Sequence, residues 1–303
     1  MSADVASSRA LARTWLMRNT IHLVASVDVP WLQLAFGPLI QRRFSSVRWP
    51  SLGLTPALLS RAAAAVPDVL RGRQLTRHEL VVGLADAGVA VPSDPQAPTH
   101  LVVYLATIGL VCHAADRGRD STFALVWDWL PSVPSVPSVP RGDEALGELA
   151  RRFFTSFSPA TAADFTAWSG LPSSRAIAQI RDELTPADVL GRPGFRLGTV
   201  EPARGVRLLG AFDNYLIGYR DRTPMLRPEI HRDVFVGGII RPTVLLDGRV
   251  IGRWRQVRRS SSAEIEVTPY EPFSRRVRAA VDAEVADLGR FLGTPTSLTV
   301  RAD

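Results

Sequence analysis

The sequence contains no lysine; all 36 of its Lys and Arg residues are arginine. A high-GC genome replaces lysine by arginine and enriches alanine and valine, which is enough to explain the bias. The physical consequence stands whatever the cause. Each arginine keeps its charge at biological pH and presents a planar fork suited to phosphate or guanine. Cysteine is nearly absent as well: Cys112 alone excludes a disulfide framework within the chain and a Cys-rich zinc site. The histidines (His22, His78, His100, His113, His231) are scattered, with no HExxH or HxH pair, so neither a metal nor a cofactor is expected. Runs of 18 apolar residues are missing, which excludes a spanning helix. Arg9 and Arg13 interrupt the N-terminal stretch before an apolar core of signal-peptide length, and a cytoplasmic, monomeric protein is expected.

What is present is globular in balance. The 303 residues are 46% hydrophobic and 21% charged, with a formal net charge of +7. That is enough chain for about two or three domains and argues against wholesale disorder. The positive balance favours an anionic partner.

The fold class read from the pattern is α+β. Residues 10–25 alternate in β fashion around Arg18-Asn19, a hairpin turn because Asn tolerates positive φ. Asp28 and Pro30 open a helix to about Phe44. Residues 55–71 read as a second helix that Pro67 should kink or split. Thr76 and Glu79 form a capping box, and Gly88 stops that helix. THLVVYLATIGLVC (99–112) reads as a largely buried helix, and residues 113–130 as strand, basic turn, strand. Helix, helix, turn, helix and a hairpin tipped by Arg117-Gly118-Arg119 is the winged-helix order, with the helix after the turn as recognition element.

PSVPSVPSVP then repeats proline as a stiff linker, or, as the functional alternative, an SH3-type ligand. Residues 143–184 give a second helix-turn-helix, followed by a looser stretch at 191–207. The C-terminal third alternates, with turns at Asp247-Gly248 and 258–262, and closes on an amphipathic helix over about 272–292. The expected domains are 1–48 (remnant of a first winged-helix unit), 49–130 (a second unit), 131–142 (linker) and 143–303 (a third unit with C-terminal β-hairpins and a closing helix).

Several segments go beyond generic pattern. RTWLMRNTIHL resembles the RTWLMRGTLHL segment of winged-helix DNA-binding proteins grouped with the AlkZ-like DNA glycosylases. GLVCHAADRGRDSTFAL, SPATAADFTAWSGL, AFDNYLIGYRDR and RPTVLLDGRVIGRWRQ follow in the same order, so the resemblance covers about residues 9–257. It implies tandem winged-helix units around duplex DNA. It also implies hydrolysis of the N-glycosidic bond of alkylated or crosslinked purines. An N7-alkylated guanine is cationic and already a good leaving group. The remaining work is to stabilise an oxocarbenium-like sugar and to aim a water at C1′. In the family a Gln-x-Gln or Gln-x-Asp motif upstream of the RTWLM segment does this. Here the chain begins about a dozen residues before RTWLM. None of Gln33, Gln41, Gln74, Gln96, Gln179 and Gln256 is followed two residues later by Gln or Asp. Either the start is truncated, or the protein is a non-catalytic relative that binds DNA as a regulator or a DNA-protecting resistance protein. A protein-interaction scaffold is a third reading. No catalytic residue is assigned.

Asp213, between Phe212 and Tyr215, is the one acid that could support a water or the oxocarbenium, against a structural role pairing with backbone amides, Arg220 or Arg222. Tyr215 and Tyr219 read as packing residues rather than stacking platforms. His22 could reach a phosphate or serve a structural hydrogen bond. The candidate DNA-binding residues are Arg18 and His22 at the first hairpin, Arg117 and Arg119 on the wing, Arg220 and Arg222, and Arg253, Arg255, Arg258 and Arg259 near the last hairpin. Arg253 and Arg255 share a strand face opposite Trp254. Phosphate contacts of this kind give salt-dependent, weakly sequence-specific binding.

Overall fold

A computed structural model describes residues 9–130 and 140–301. Strands β1 (Leu11–Leu16) and β2 (Thr20–Ala25) pair antiparallel from Leu11↔Ala25 to Leu16↔Thr20. The loop is three residues, one more than expected, because Met17 joins Asn19 in the left-handed region at φ 54° and 68°. Met17 is buried, so packing of its side chain offsets that backbone cost. Helix α1 (Val29–Ser45) follows. Asp28 stands at its N-cap without making a side-chain cap bond. It accepts instead from Trp31 Nε1 at 3.0 Å and from both Arg152 terminal nitrogens at 2.5 and 2.9 Å.

Helix α2 (Pro56–Leu70) is capped by Thr55 and runs unbroken through Pro67. The expected split does not occur. Proline removes one helical N–H there, and buried Val66, Val69 and Leu70 hold the turn in place. Strand β3 (Leu75–Thr76) leads into α3 (Arg77–Asp86), whose capping box is complete in both directions. Helix α4 (Ala97–Thr107) stops five residues short of the expected end, since Gly109 turns the chain at φ 79°. Val111–His113 becomes strand β4, paired with β5 (Thr122–Leu125). No residue of α4 is exposed. It packs on α1 so closely that a Cβ on Gly37 would sit 2.1 Å from Thr107 O. The helix expected to read DNA is therefore largely committed to the core. The sheet order is β2-β1-β4-β5-β3.

Helix α5 (Gly142–Phe157) precedes α6 (Ala162–Ser169) and α7 (Ser173–Ala178). Asp164 and Thr161 cap α6 reciprocally: Thr161 N donates to Asp164 Oδ2 at 2.8 Å and Asp164 N to Thr161 Oγ1 at 3.1 Å. The stretch taken as loose holds a hairpin, β6 (Thr185–Asp188) and β7 (Pro193–Arg196), turning through Leu190 and Gly191 with positive φ. A five-stranded sheet follows, ordered β14-β13-β12-β11-β8. Its strands are β8 (Val206–Leu209), β11 (Thr243–Leu246), β12 (Arg249–Arg258), β13 (Ala263–Pro269) and β14 (Thr296–Val300); a small β9–β10 hairpin (Phe235–Val236, Ile239–Ile240) precedes β11. The final helix, α8 (Arg275–Leu292), does not end the fold. It crosses over to β14, which lies parallel to β13.

One face of this sheet packs Val206, Val244, Ile265 and Val267 on Val281 and Val285 of α8. Leu245 and Val250 pack on Leu216, Met225, Leu226, Val234 and Ile240. Each such aliphatic contributes about 1.5–3 kcal/mol when fully buried. Asp247-Gly248 makes the expected β11–β12 turn, with φ 50° and 79°.

Contacts divide the chain into two units, one comprising residues 1–152 with Ser169–Arg181, the other Phe153–Trp168 with residues from Asp182 onward. Within the first unit β1 pairs with β4 at Arg13↔His113. Most of the proline-rich linker, 131–139, lies outside the described residues. Among the described residues no helix is long and apolar enough to cross a membrane.

Candidate nucleic-acid interface

Of the nine arginines singled out by position, Arg117, Arg253, Arg255 and Arg259 are held by acids. On the β4–β5 hairpin, Arg117 donates to Glu79 Oε1 at 2.7 Å and to Gln74 O at 2.8 Å. The other oxygen of Glu79 accepts from Thr76 N. That backbone bond, then Arg117, lowers the Glu79 pKa to about 2. Arg117 thus ties the hairpin tip to the start of α3 rather than projecting from it. Arg119 is exposed beside Arg77, His78 and Asp120.

On β12, Arg253 reaches Asp233 at 2.9 Å, Arg255 reaches Glu266 at 2.5 Å, and Arg259 just beyond the strand reaches Glu264 at 2.6 Å. Arg255 and Glu266 are direct cross-strand partners, so the register itself neutralises the expected basic face. Arg258 stays exposed. Trp254 anchors the strand as expected, its Nε1 donating to Leu209 O at 2.8 Å.

Arg18 is exposed at the β1–β2 tip, and its carbonyl accepts from Arg43. His22 is half-buried, bonded to Thr20 Oγ1 at 2.7 Å, and burial followed by Arg18 lowers its pKa. A neutral imidazole in a local hydrogen bond is the structural alternative. Asp213 caps the helical turn Asn214–Ile217 by accepting from Tyr215 N at 2.9 Å. That segment is a helical turn rather than a strand. Tyr215 and Tyr219 therefore meet as i, i+4 neighbours, with rings 6.3 Å apart. Tyr215 donates to Gly248 O and Tyr219 to Phe157 O.

The loop between Tyr219 and His231 differs from these places. Asp164 Oδ1 accepts from Arg220 N at 2.7 Å and fixes the start of the loop. Arg222 bonds Leu216 O at 2.6 Å and lies over the Phe235 ring at 4.9 Å, while His231 stacks on the same ring at 4.7 Å. Arg192, Arg220, Arg222, His231 and Arg232 line one groove, and Asp221 is its one acid. Asp221 is occupied by Thr223 N and Oγ1, which lower its pKa, and Arg192 stands 3.8 Å away. The side chains of Arg220 and Arg232 have no ion-pair or hydrogen-bond partner among the described residues. Arg220 and Arg222 are singled out by the sequence pattern, whereas Arg192, His231 and Arg232 join them only in the fold. The Leu190-Gly191-Arg192-Pro193 turn was the available signal for Arg192.

The glutamines serve structure where they are tied. Gln33 is fully buried and donates to Thr14 Oγ1 and Val111 O at 2.8 Å, and Gln41 donates to Thr107 Oγ1. Among the described residues, no three His, Cys, Asp or Glu side chains gather as a metal site.

A model of the AlkZ-like DNA glycosylase family matches residues 3–291. An interstrand DNA cross-link repair glycosylase of Streptomyces sahachiroi is 30% identical over 315 residues, spanning 94% of this chain and 80% of that protein. The solved structure of the Streptomyces sahachiroi DNA glycosylase AlkZ superposes with a TM-score of 0.81 at 28% identity, covering 99% of this chain and 84% of that one. The match runs over nearly the whole chain, through the same segments whose motifs carried the resemblance, and the chain belongs to the AlkZ-like DNA glycosylase family.

Proposed function

We propose that this protein binds duplex DNA through the arginine-lined groove and hydrolyses the N-glycosidic bond of bulky or crosslinked N7-alkylpurines. The observation that carries the binding is the groove itself, where four arginines and a histidine face a single, already occupied acid. Such a surface suits a phosphate backbone, whose affinity is salt-dependent and indifferent to base sequence. The order α2-β3-α3-α4-β4-β5, with the sheet order β3-β5-β4, supports a winged-helix unit. Within the second compact unit, Ala160 bridges Phe195 of the β6–β7 hairpin as β3 pairs with β5, which supports a second one. The glycosidic chemistry comes from family membership. The cationic base leaves readily, and the protein's task is to stabilise the sugar cation and direct water. The same reading makes the protein a cytoplasmic monomer, which fractionation and light scattering check.

Incubation with an oligonucleotide carrying an N7-alkylguanine tests the reaction. Release of the alkylated base above the spontaneous rate is expected. The rival outcome of that test is DNA binding without catalysis. Salt-dependent binding with no base release establishes that reading instead. No salt-dependent binding overturns both.

A further inference from the structure

A cavity of about 390 Å³ lies within the second compact unit, where three segments meet. They are the loop at Thr223–Arg227, the β11–β12 turn and the connection from β13 to α8. Its walls draw on both apolar clusters of the C-terminal sheet. Met225, Leu226 and Val250 belong to one, and Leu246, Phe273 and Val277 to the other. Walls set by core packing stand ready before any ligand arrives.

The polar side chains of the lining are engaged, with one exception. Tyr270 donates to Asp233 at 2.7 Å, Thr223 donates to Asp221, and Ser274 Oγ accepts from Val277 N. Glu271 is the one acid of the lining, and it accepts from Arg227. Arg249, at the start of β12, has no ion-pair or hydrogen-bond partner among the described residues. Asp247 nearby accepts from Gly205 N instead. The lining therefore carries one uncompensated positive charge. Beside it α8 opens on Arg275, Arg276 and Arg278 with no acid in its first turn, which keeps the local potential positive. Thr223 and Leu226 also line the arginine groove, but none of the groove's arginines lines this cavity. A ligand here uses none of the charges given to DNA above.

We infer that the cavity binds a small organic acid, its apolar body against the walls and its carboxylate on Arg249. A neutral hydrocarbon would leave the guanidinium without a counter-charge, and an inorganic anion would gain nothing from the apolar surface. A carboxylate matches the guanidinium fork in two parallel hydrogen bonds. The inference does not depend on the DNA-binding reading.

Calorimetric titration with biphenyl-4-carboxylate and with octanoate tests it, and biphenyl-4-carboxamide is the neutral match of the first acid. At least one acid should bind with Kd below about 1 mM. The tighter of the two assigns the body as ring or chain. The amide should bind about tenfold more weakly than its acid. Arg249→Gln alters an exposed side chain without a partner, so it should fold normally; it should lower the acid to the amide's affinity and leave the amide unchanged. Val277→Phe fills the cavity and should weaken acid and amide alike. Thermal unfolding shows whether that variant is folded, and if it is not, Arg249→Gln decides alone. A saturating paired duplex should leave acid binding unchanged. The inference is overturned if neither acid binds, if the amide binds as tightly as its acid, if the difference between them survives Arg249→Gln, or if duplex displaces the acid. Salt-dependent binding of the duplex is read separately, so the groove reading stands or falls by its own measurement.

Discussion

The β12 strand and the 219–232 loop are equally rich in arginine, yet they differ in what stands opposite. Across from β12, the register of β13 delivers Glu266 and Glu264, and Asp233 takes Arg253. The groove lined by Arg220, Arg222 and Arg232 of the loop has one acid in its lining, Asp221, held by Thr223, while the loop's Arg227 pairs outside that lining with Glu271. An arginine already paired with an acid gains little from a phosphate, because the old pair must be broken first. Charge density along a sequence therefore misplaces a phosphate site, and the arrangement of acids locates it.

The comparison breaks most sharply at Asp164. Asp164→Ala leaves the part-buried amides of Thr161 and Arg220 without their acceptor, which costs about 1–3 kcal/mol. The urea midpoint should fall, and the salt-sensitive affinity for DNA should fall with it as the Arg220 loop loosens. Next in size, Arg220→Ala with Arg232→Ala should weaken duplex binding about tenfold and make the slope of log K against log salt shallower by about 2. Arg255→Ala should leave that slope unchanged. Equal losses from the two surfaces would abolish the distinction between them.

The smallest effect sharpens it. Glu79→Gln keeps a cap acceptor but removes the charge that holds Arg117, so duplex affinity should rise about two- to threefold, one extra phosphate contact. The same variant carries a pH signature. Glu79 has a folded-state pKa of about 2, below its ordinary 4.5. Its contribution to stability is present above about pH 4.5 and is lost as pH falls towards 2. Stability curves of the wild type should show that loss, and the variant's should be flatter across the window.

Local chemistry was legible in the sequence. The Thr76–Glu79 box, the Asp247-Gly248 turn and the anchoring of Trp254 each depend on neighbours a few residues away or on strand alternation. The structural reading of Asp213, bonding backbone amides, rests on the same kind of local neighbour, Tyr215 N. Pairings across long separations were not legible. Arg117 meets Glu79 over 38 residues, and nothing in RGR announces the acid. The parallel strand β14 is hidden because Thr296–Val300 is short and half-exposed and its partner β13 lies on the other side of α8 in the chain. Helix α4 was read too long because an apolar run fits a buried helix and a buried strand equally well.

Cys112 lies fully buried in β4, and burial pushes its thiol up to about 12. It is therefore protonated and out of reach of alkylating reagents at neutral pH. Since the sequence contains no lysine, it also has no side-chain amine for acylating dyes. The folded surface is close to silent towards two common labelling chemistries. Pro228→Cys would place the chain's one reactive thiol on the arginine groove, and a fluorophore attached there would report on that groove without background from elsewhere.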